Sequence, residues 1–157
     1  MKIKTGLGQD SHAFCDTNKL LILAGVVFDY PKSLNANSDG DVVFHSITNA
    51  ISSITGINIL GNKADTLCKQ GVTDSVEYLK LAFNDLKKWK IQHVAISIEC
   101  LHPKISPMIG KMKLSISKLL NIALEDVGIT ATTDEGLTEF GKGNGIQVLS
   151  IVTVIKQ

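Results

Sequence analysis

The sequence predicts one α/β (α+β) domain over residues 1–157, a mixed β-sheet with a single layer of helices. Three observations predict it. Apolar residues that alternate with period two interleave along the chain with apolar residues at steps of three and four. A length of 157 residues suits one hydrophobic core. A composition of 44% hydrophobic and 20% charged residues with only 3 Pro buries enough apolar surface to offset chain entropy, which excludes disorder.

The elements follow in order. Ile3 to Asp10 reads as a strand. Leu20 to Leu23 and Val26 to Tyr30 flank Ala24-Gly25 and read as strand, break, strand, closed by Pro31. Ser38-Asp39-Gly40-Asp41 runs into Phe44, Ile47, Ile51 and Ile54, an apolar stripe that predicts a helix with Asp39 as its N-cap. Ile59 to Val72 lacks periodicity and contains Gly61, Asn62 and Gly71, which predicts a long loop. Asp74 and Glu77 have capping-box spacing and predict a second helix with Val76, Leu79, Phe83 and Leu86 on one face.

Val94, Ile96, Ile98 and Cys100 alternate with Ala95, Ser97 and Glu99, a strand ended by Pro103. Ser106-Pro107 predicts an N-cap and first helical position, and Ile109, Met112, Ile116 and Leu119 form the stripe of that third helix. Val127 to Thr132 is a further strand, a Gly-rich loop follows, and Ile146 to Ile155 is the last strand. In it Ile146, Val148, Val152 and Val154 face one way, and Leu149, Ile151 and Ile155 the other. One helical layer covers one face of a sheet, so the second face is expected to pack against another subunit.

The formal net charge is +1, so no long-range field gathers nucleic acid or anionic lipid, and neither is an expected partner. Leu20 to Phe28, the longest apolar stretch, is too short to span a membrane, and the amino terminus lacks the apolar segment of a secretion signal. A cytoplasmic location is expected. Cys15, Cys68 and Cys100 are far apart with no CxxC pair, which argues against disulfides and thiolate zinc knuckles; Cys100 reads as strand packing.

Chemistry concentrates in three places. Asp10-Ser11-His12 on a strand aims a carboxylate and an imidazole to one side, and His45, beside the apolar stripe of the first helix, can reach the same point. One carboxylate and two imidazoles suit a zinc-type ion with a coordination position left open for substrate, whereas the alternative is a set of ordinary structural residues. Asp39 and Asp41 read as helix caps that also stand near such an ion. Ala131-Thr132-Thr133-Asp134-Glu135 with Phe140-Gly141-Lys142-Gly143 reads either as a strand end and turn or as a phosphate cradle. In the second case Lys142 is a point charge and Glu135 an oxygen ligand for a hard cation such as Mg²⁺.

Asp10-Ser11-His12-Ala13-Phe14, Leu23-Ala24-Gly25-Val26, Ser38-Asp39-Gly40-Asp41-Val42 through His45, Pro103-Lys104, and Ala131-Thr132-Thr133 through Glu135 together resemble the 2-C-methyl-D-erythritol 2,4-cyclodiphosphate synthase family, in order and spacing, over nearly the whole chain. The resemblance implies a homotrimer with active sites between subunits and a place in the non-mevalonate isoprenoid pathway. It implies cyclisation of 4-diphosphocytidyl-2-C-methyl-D-erythritol 2-phosphate by attack of the 2-phosphate on the β-phosphorus, with release of CMP. It further implies that Asp10, His12 and His45 bind Zn²⁺ or a similar transition metal. Glu135 would bind Mg²⁺ or Mn²⁺, and Thr132 and Thr133 phosphate, with Thr133 among the catalytic residues. Pro103, Lys104 and Ala131 would form a cytidine pocket at a subunit boundary, and Asn37, Ser38, Asp41, Gly61, Asp65 and Lys142 would add further substrate contacts.

The chain departs from the family pattern at named positions. Asn37 stands where His is usual, Lys142 where Arg is usual, and Thr130 where Lys is usual. Asn58-Ile59-Leu60-Gly61 replaces Gly-Asp-Ile-Gly, so the carboxylate that holds the erythritol hydroxyls is missing from position 59, with Asn58 or Asp65 as substitutes. Two rival readings stand beside cyclisation: a metal-dependent phosphohydrolase using the open zinc position to activate water, and a non-catalytic metal-stabilised trimer that binds a nucleotide or an isoprenoid intermediate.

Overall fold

The computed structural model describes residues 1–156. Strand β1 (Lys2–Cys15) runs well past the expected end at Asp10 and pairs with the last strand, β7 (Gly145–Lys156), antiparallel from Lys2↔Lys156 to Ala13↔Gly145. This long partner carries the DxH segment inside the sheet. Leu21–Leu23 (β2) and Val26–Phe28 (β3) form the expected hairpin about Ala24-Gly25, with Gly25 at φ +70. The two-residue strand β4 (Ser33–Leu34), with no alternation to reveal it, pairs with the end of β1. With β5 (Lys90–Glu99) and β6 (Val127–Thr132), the main sheet runs β4-β1-β7-β5-β6, and only β5 and β6 are parallel.

Helix α1 (Val42–Thr55) lies across β1 and β7. Its N-cap is Asp41 and not Asp39, because the Asp41 carboxylate accepts the Val43 and Phe44 amides at 3.1 Å each. Residues 59–72 are not a continuous loop: α2 (Asn62–Lys69) occupies the middle. It has only eight mostly polar residues and buries only Ala64 fully, too short a run for its apolar line to stand out in the sequence. Helix α3 (Ser75–Asp85) opens on the expected cap, Asp74, which accepts the Val76 amide at 2.9 Å. Of the expected face, Leu79 and Leu86 are buried and Val76 and Phe83 pack partly covered against the core, while Ser75, Tyr78 and Ala82 are buried beside them. Ser106 does not cap the last helix: Ser106–Met108 forms a 3-10 turn that leads into α4 (Ile109–Leu120), with Met112, Ile116 and Leu120 buried.

Glycine decides how closely the helical layer approaches the sheet. A Cβ on Gly8 would stand 1.9 Å from the Ser46 carbonyl oxygen, and one on Gly6 would stand 2.1 Å from that of Ala50. The backbone of α1 therefore rests directly on the backbone of β1, as no side-chain-bearing residue permits. Ile146, Val148, Val152 and Val154 of β7 are fully buried beneath the helices. On the opposite face Leu7 is 61%, Leu149 39% and Ile151 43% exposed, and with Ala95, Ser97, Gly128 and Thr130 they line an apolar depression of about 570 Å³. No described helix is long and apolar enough to cross a membrane.

Candidate active site

Asp10 and His12 share the parity of Gly6 and Gly8 on β1, so they project from the face on which α1 sits. Because Ser46 rests on Gly8, its neighbour His45 is brought down to Asp10. The Asp10 Oδ2 atom lies 3.0 Å from His45 Nδ1 and 3.4 Å from His12 Nε2. One ligand atom from each of the three residues falls within 4.8 Å of the others. His45 is buried, and Asp10 and His12 are half-buried. Donors bound tetrahedrally to zinc at ~2.0–2.1 Å stand roughly 3.4 Å apart, so the three side chains fit such an ion.

The electrostatics agree with that geometry. Burial pushes the Asp10 carboxyl up, but hydrogen bonds with His12 and His45 and their charge outweigh it and hold the group below its ordinary value. The hydrogen bond to Asp10 raises His12 above its ordinary value, against the opposing effect of burial. Beyond the triad, His45 Nε2 lies 2.7 Å from the buried hydroxyl of Ser75, which also bonds the Asp39 carboxylate. Asp39, displaced from the capping role, ties the loop before α1 to the first turn of α3.

The triad opens into a cavity of about 230 Å³ lined also by Asn37, Ser38, Gly61 and Asp65, four residues expected to contact substrate. Ala36, Leu60, Ala64, Cys68 and Tyr78 complete the wall. Lys19 Nζ bonds the carbonyls of Ala36 at 2.7 Å and Ser38 at 3.3 Å, and Cys68 Sγ bonds that of Asn37 at 3.2 Å, which fixes the rim. Ile59 is fully buried in the core, and Asn58 does not line this cavity. Of the two possible substitutes for a carboxylate at position 59, Asp65 lines this cavity and Asn58 does not.

Asp41 requires a correction. Expected to touch substrate, it is fully buried, and its carboxylate accepts the amides of Ala24 at 2.9 Å, Gly25 at 2.7 Å, and Val43 and Phe44. Four donors saturate it, and it staples the β2-β3 hairpin to the start of α1.

Pro103, Lys104, Ala131, Thr132 and Thr133 gather round a second cavity of about 160 Å³, with Cys100, Leu101, Ile105 and Ser106. Burial pushes the Cys100 thiol up to about 11, in keeping with a packing role. Glu135 follows on an exposed 3-10 turn (Asp134–Gly136) with both acidic residues at positive φ, 47° and 52°. Lys142 is exposed, bonds Glu139 at 3.0 Å, and, like Glu135, lines neither cavity.

The two cavities lie at one level of the sheet. The strand registers Asp10↔Val148, Val148↔Ile98 and Ile98↔Ala131 form a single row. Three strand spacings separate its ends, ~14 Å. Val148 and Ile98, fully buried between them, form a wall of core.

Sequence reasoning missed Ser75, Tyr78 and Cys68. Cys68 and Ala64 sit on the helix mistaken for a loop. Ser75 reads as an ordinary first-turn residue, since its partners are 30 and 36 positions away.

Comparison with known proteins supplies the context. A profile of the YgbB family matches residues 3–155. A 2-C-methyl-D-erythritol 2,4-cyclodiphosphate synthase from Chlamydia felis is 50% identical over 157 residues, covering 98% of this chain and 89% of the relative. The fold is similar to that of the bifunctional IspDF from Campylobacter jejuni, at a TM-score of 0.90 and 33% identity, covering 99% of this chain and 43% of that longer one. It is also similar to a CDP complex of IspF from Plasmodium falciparum, at a TM-score of 0.84 and 28% identity over 99% of this chain and 97% of that one.

Proposed function

The chain belongs to the YgbB family, and on that premise we propose that it is a 2-C-methyl-D-erythritol 2,4-cyclodiphosphate synthase, a phosphorus–oxygen lyase of isoprenoid biosynthesis. It converts 4-diphosphocytidyl-2-C-methyl-D-erythritol 2-phosphate into the 2,4-cyclodiphosphate and CMP. The observation that carries this reading is the meeting of Asp10, His12 and His45 in a cavity shared with Asn37, Ser38 and Asp65.

Asp10, His12 and His45 are the residues that would hold zinc, and Glu135 the one that would hold Mg²⁺ or Mn²⁺. When bound, such ions draw charge from phosphate oxygens and so ease the approach of one phosphate to another. Thr132 and Thr133 hold phosphate, Thr133 as one of the catalytic residues, and Lys142 supplies positive charge from the loop that follows. Pro103, Lys104 and Ala131 enclose the cytidine. Asp65 takes the erythritol hydroxyls, and Asn37, Ser38 and Gly61 shape the same end. A 2-phosphate oxygen bonds to the β-phosphorus as the bond from that phosphorus to the oxygen shared with the α-phosphate breaks, and CMP departs with that oxygen. The attacking phosphate is already anionic, so no protein nucleophile is needed; alignment alone supplies effective molarities of ~10⁵ to 10⁸ M.

We assign a homotrimer as the working unit, residues 1–157 acting as one domain in each subunit. Two features support it: the exposed apolar face around Leu7, Leu149 and Ile151, and the core wall between the triad cavity and the Ala131–Thr133 cavity. A neighbour that brings its second cavity against the first closes one site.

The purified protein, supplied with the cytidyl substrate, zinc and Mg²⁺, is expected to yield CMP and the cyclic diphosphate in equal amounts without inorganic phosphate. Linear phosphorylated products would instead make it a hydrolase, and tight CDP binding without turnover a non-catalytic binder. His45→Ala is expected to lose zinc and turnover together while the chain stays folded.

A further inference from the structure

We infer that Ser75 and Asp39 are positioning residues that dictate which ring nitrogen of His45 faces the metal; the inference rests on the metal-centre reading above. Asp39 Oδ1 accepts the Asp41 amide at 3.0 Å and the Ser75 hydroxyl, and Oδ2 accepts the Ser75 amide at 3.0 Å. A carboxylate offers only acceptors, so the single hydroxyl proton of Ser75 is spent on Asp39. The Ser75 oxygen can then only accept from His45 Nε2, 2.7 Å away, and Ser75 is fully buried, so no solvent competes for it. Nε2 therefore keeps its proton, and Nδ1, hydrogen-bonded to Asp10 Oδ2 at 3.0 Å, is the nitrogen left to exchange its proton for a metal ion.

The order of donors thus runs one way, from the imidazole through the hydroxyl to the carboxylate. It does for His45 what an outer carboxylate or carbonyl does for other metal-bound histidines, fixing tautomer and ring orientation. It also links the metal corner to the docking of α3, since Ser75 is the first residue of that helix and Asp39 precedes α1.

The test measures zinc affinity by competition with a chromophoric chelator, alongside imidazole nitrogen-15 NMR of the wild-type protein with and without zinc. Ser75→Ala, which keeps the backbone amide on Asp39, is expected to weaken zinc binding ~10- to 100-fold. The wild-type spectrum is expected to show His45 bonded to zinc through Nδ1 with its proton on Nε2. Unchanged affinity in Ser75→Ala, or zinc on Nε2 of His45, would overturn the inference while leaving the metal centre in place. A wild-type chain that takes up no zinc removes the centre and the inference together. Should Ser75→Ala fail to fold, the wild-type spectrum decides alone.

Discussion

Gly8→Ala tests how the triad is assembled. The added methyl carbon would stand 1.9 Å from the Ser46 carbonyl oxygen and 2.3 Å from the Ala50 nitrogen, both backbone atoms with no rotamer to escape into. Ordinary contact needs ~3.5 Å, so α1 must lift by something on the order of 1 Å. Overpacking of that kind costs ~1–3 kcal/mol, which in a domain of this size lowers the melting temperature by roughly 2–10 °C. The functional loss is larger than the stability loss, because His45, next to Ser46, moves with the helix. Metal ligands tolerate ~0.2 Å, and a misplacement of ~1 Å costs on the order of 10²-fold in rate. Zinc affinity, kcat and melting temperature are measured together, with Gly110→Ala in α4 as the control, since a Cβ there meets nothing within 4 Å. Gly8→Ala protein that melts lower but keeps wild-type zinc affinity would refute the claim that these glycines set the ligand spacing.

Asp41→Ala is expected to destabilise the fold by ~3–5 kcal/mol in urea denaturation, about 1 from the lost cap and the remainder from two hairpin amides left without acceptors; a loss below ~1 would contradict the stapling role. Asp65→Asn is expected to raise KM ~10-fold or more with zinc content unchanged, and an unaltered KM would remove Asp65 from diol recognition. Zinc affinity is expected to fall with acidity as His12, raised above its ordinary value, takes a proton. The metal-free protein should show the opposite trend at that step. Stability from the His12–Asp10 pair is full below the unfolded histidine value of 6.5 and is lost as pH rises through the raised folded value. At the acid end, the lowered Asp10 contributes stability above its unfolded value of 3.8 that disappears as pH falls through the folded one. Melting curves across pH with and without zinc check both signs.

Patterned elements were legible from sequence because their periods are local: the alternation at Val94 to Cys100, the stripe from Phe44 to Ile54, and the Asp74 cap all reappear in the structure. The metal triad was legible because strand parity and a helix start are local too. What failed shared one cause. Helix α2 has eight residues and β4 two, so neither writes a pattern long enough to read. Asp39 and Asp41 offered equivalent caps two positions apart. The choice fell to the Ala24 and Gly25 amides, which only the tertiary fold brings to Asp41. Ser75 was invisible for the same reason.

The row from Asp10 through Val148 and Ile98 to Ala131 is a ruler whose length, ~14 Å, is set by three strand spacings. In the homotrimer proposed above, each copy would carry two unlike halves of a lock and meet the complement of each on a different neighbour. Turnover would then be a property of concentration as well as of sequence. Dilution past the point of dissociation would silence chains that are each still fully folded.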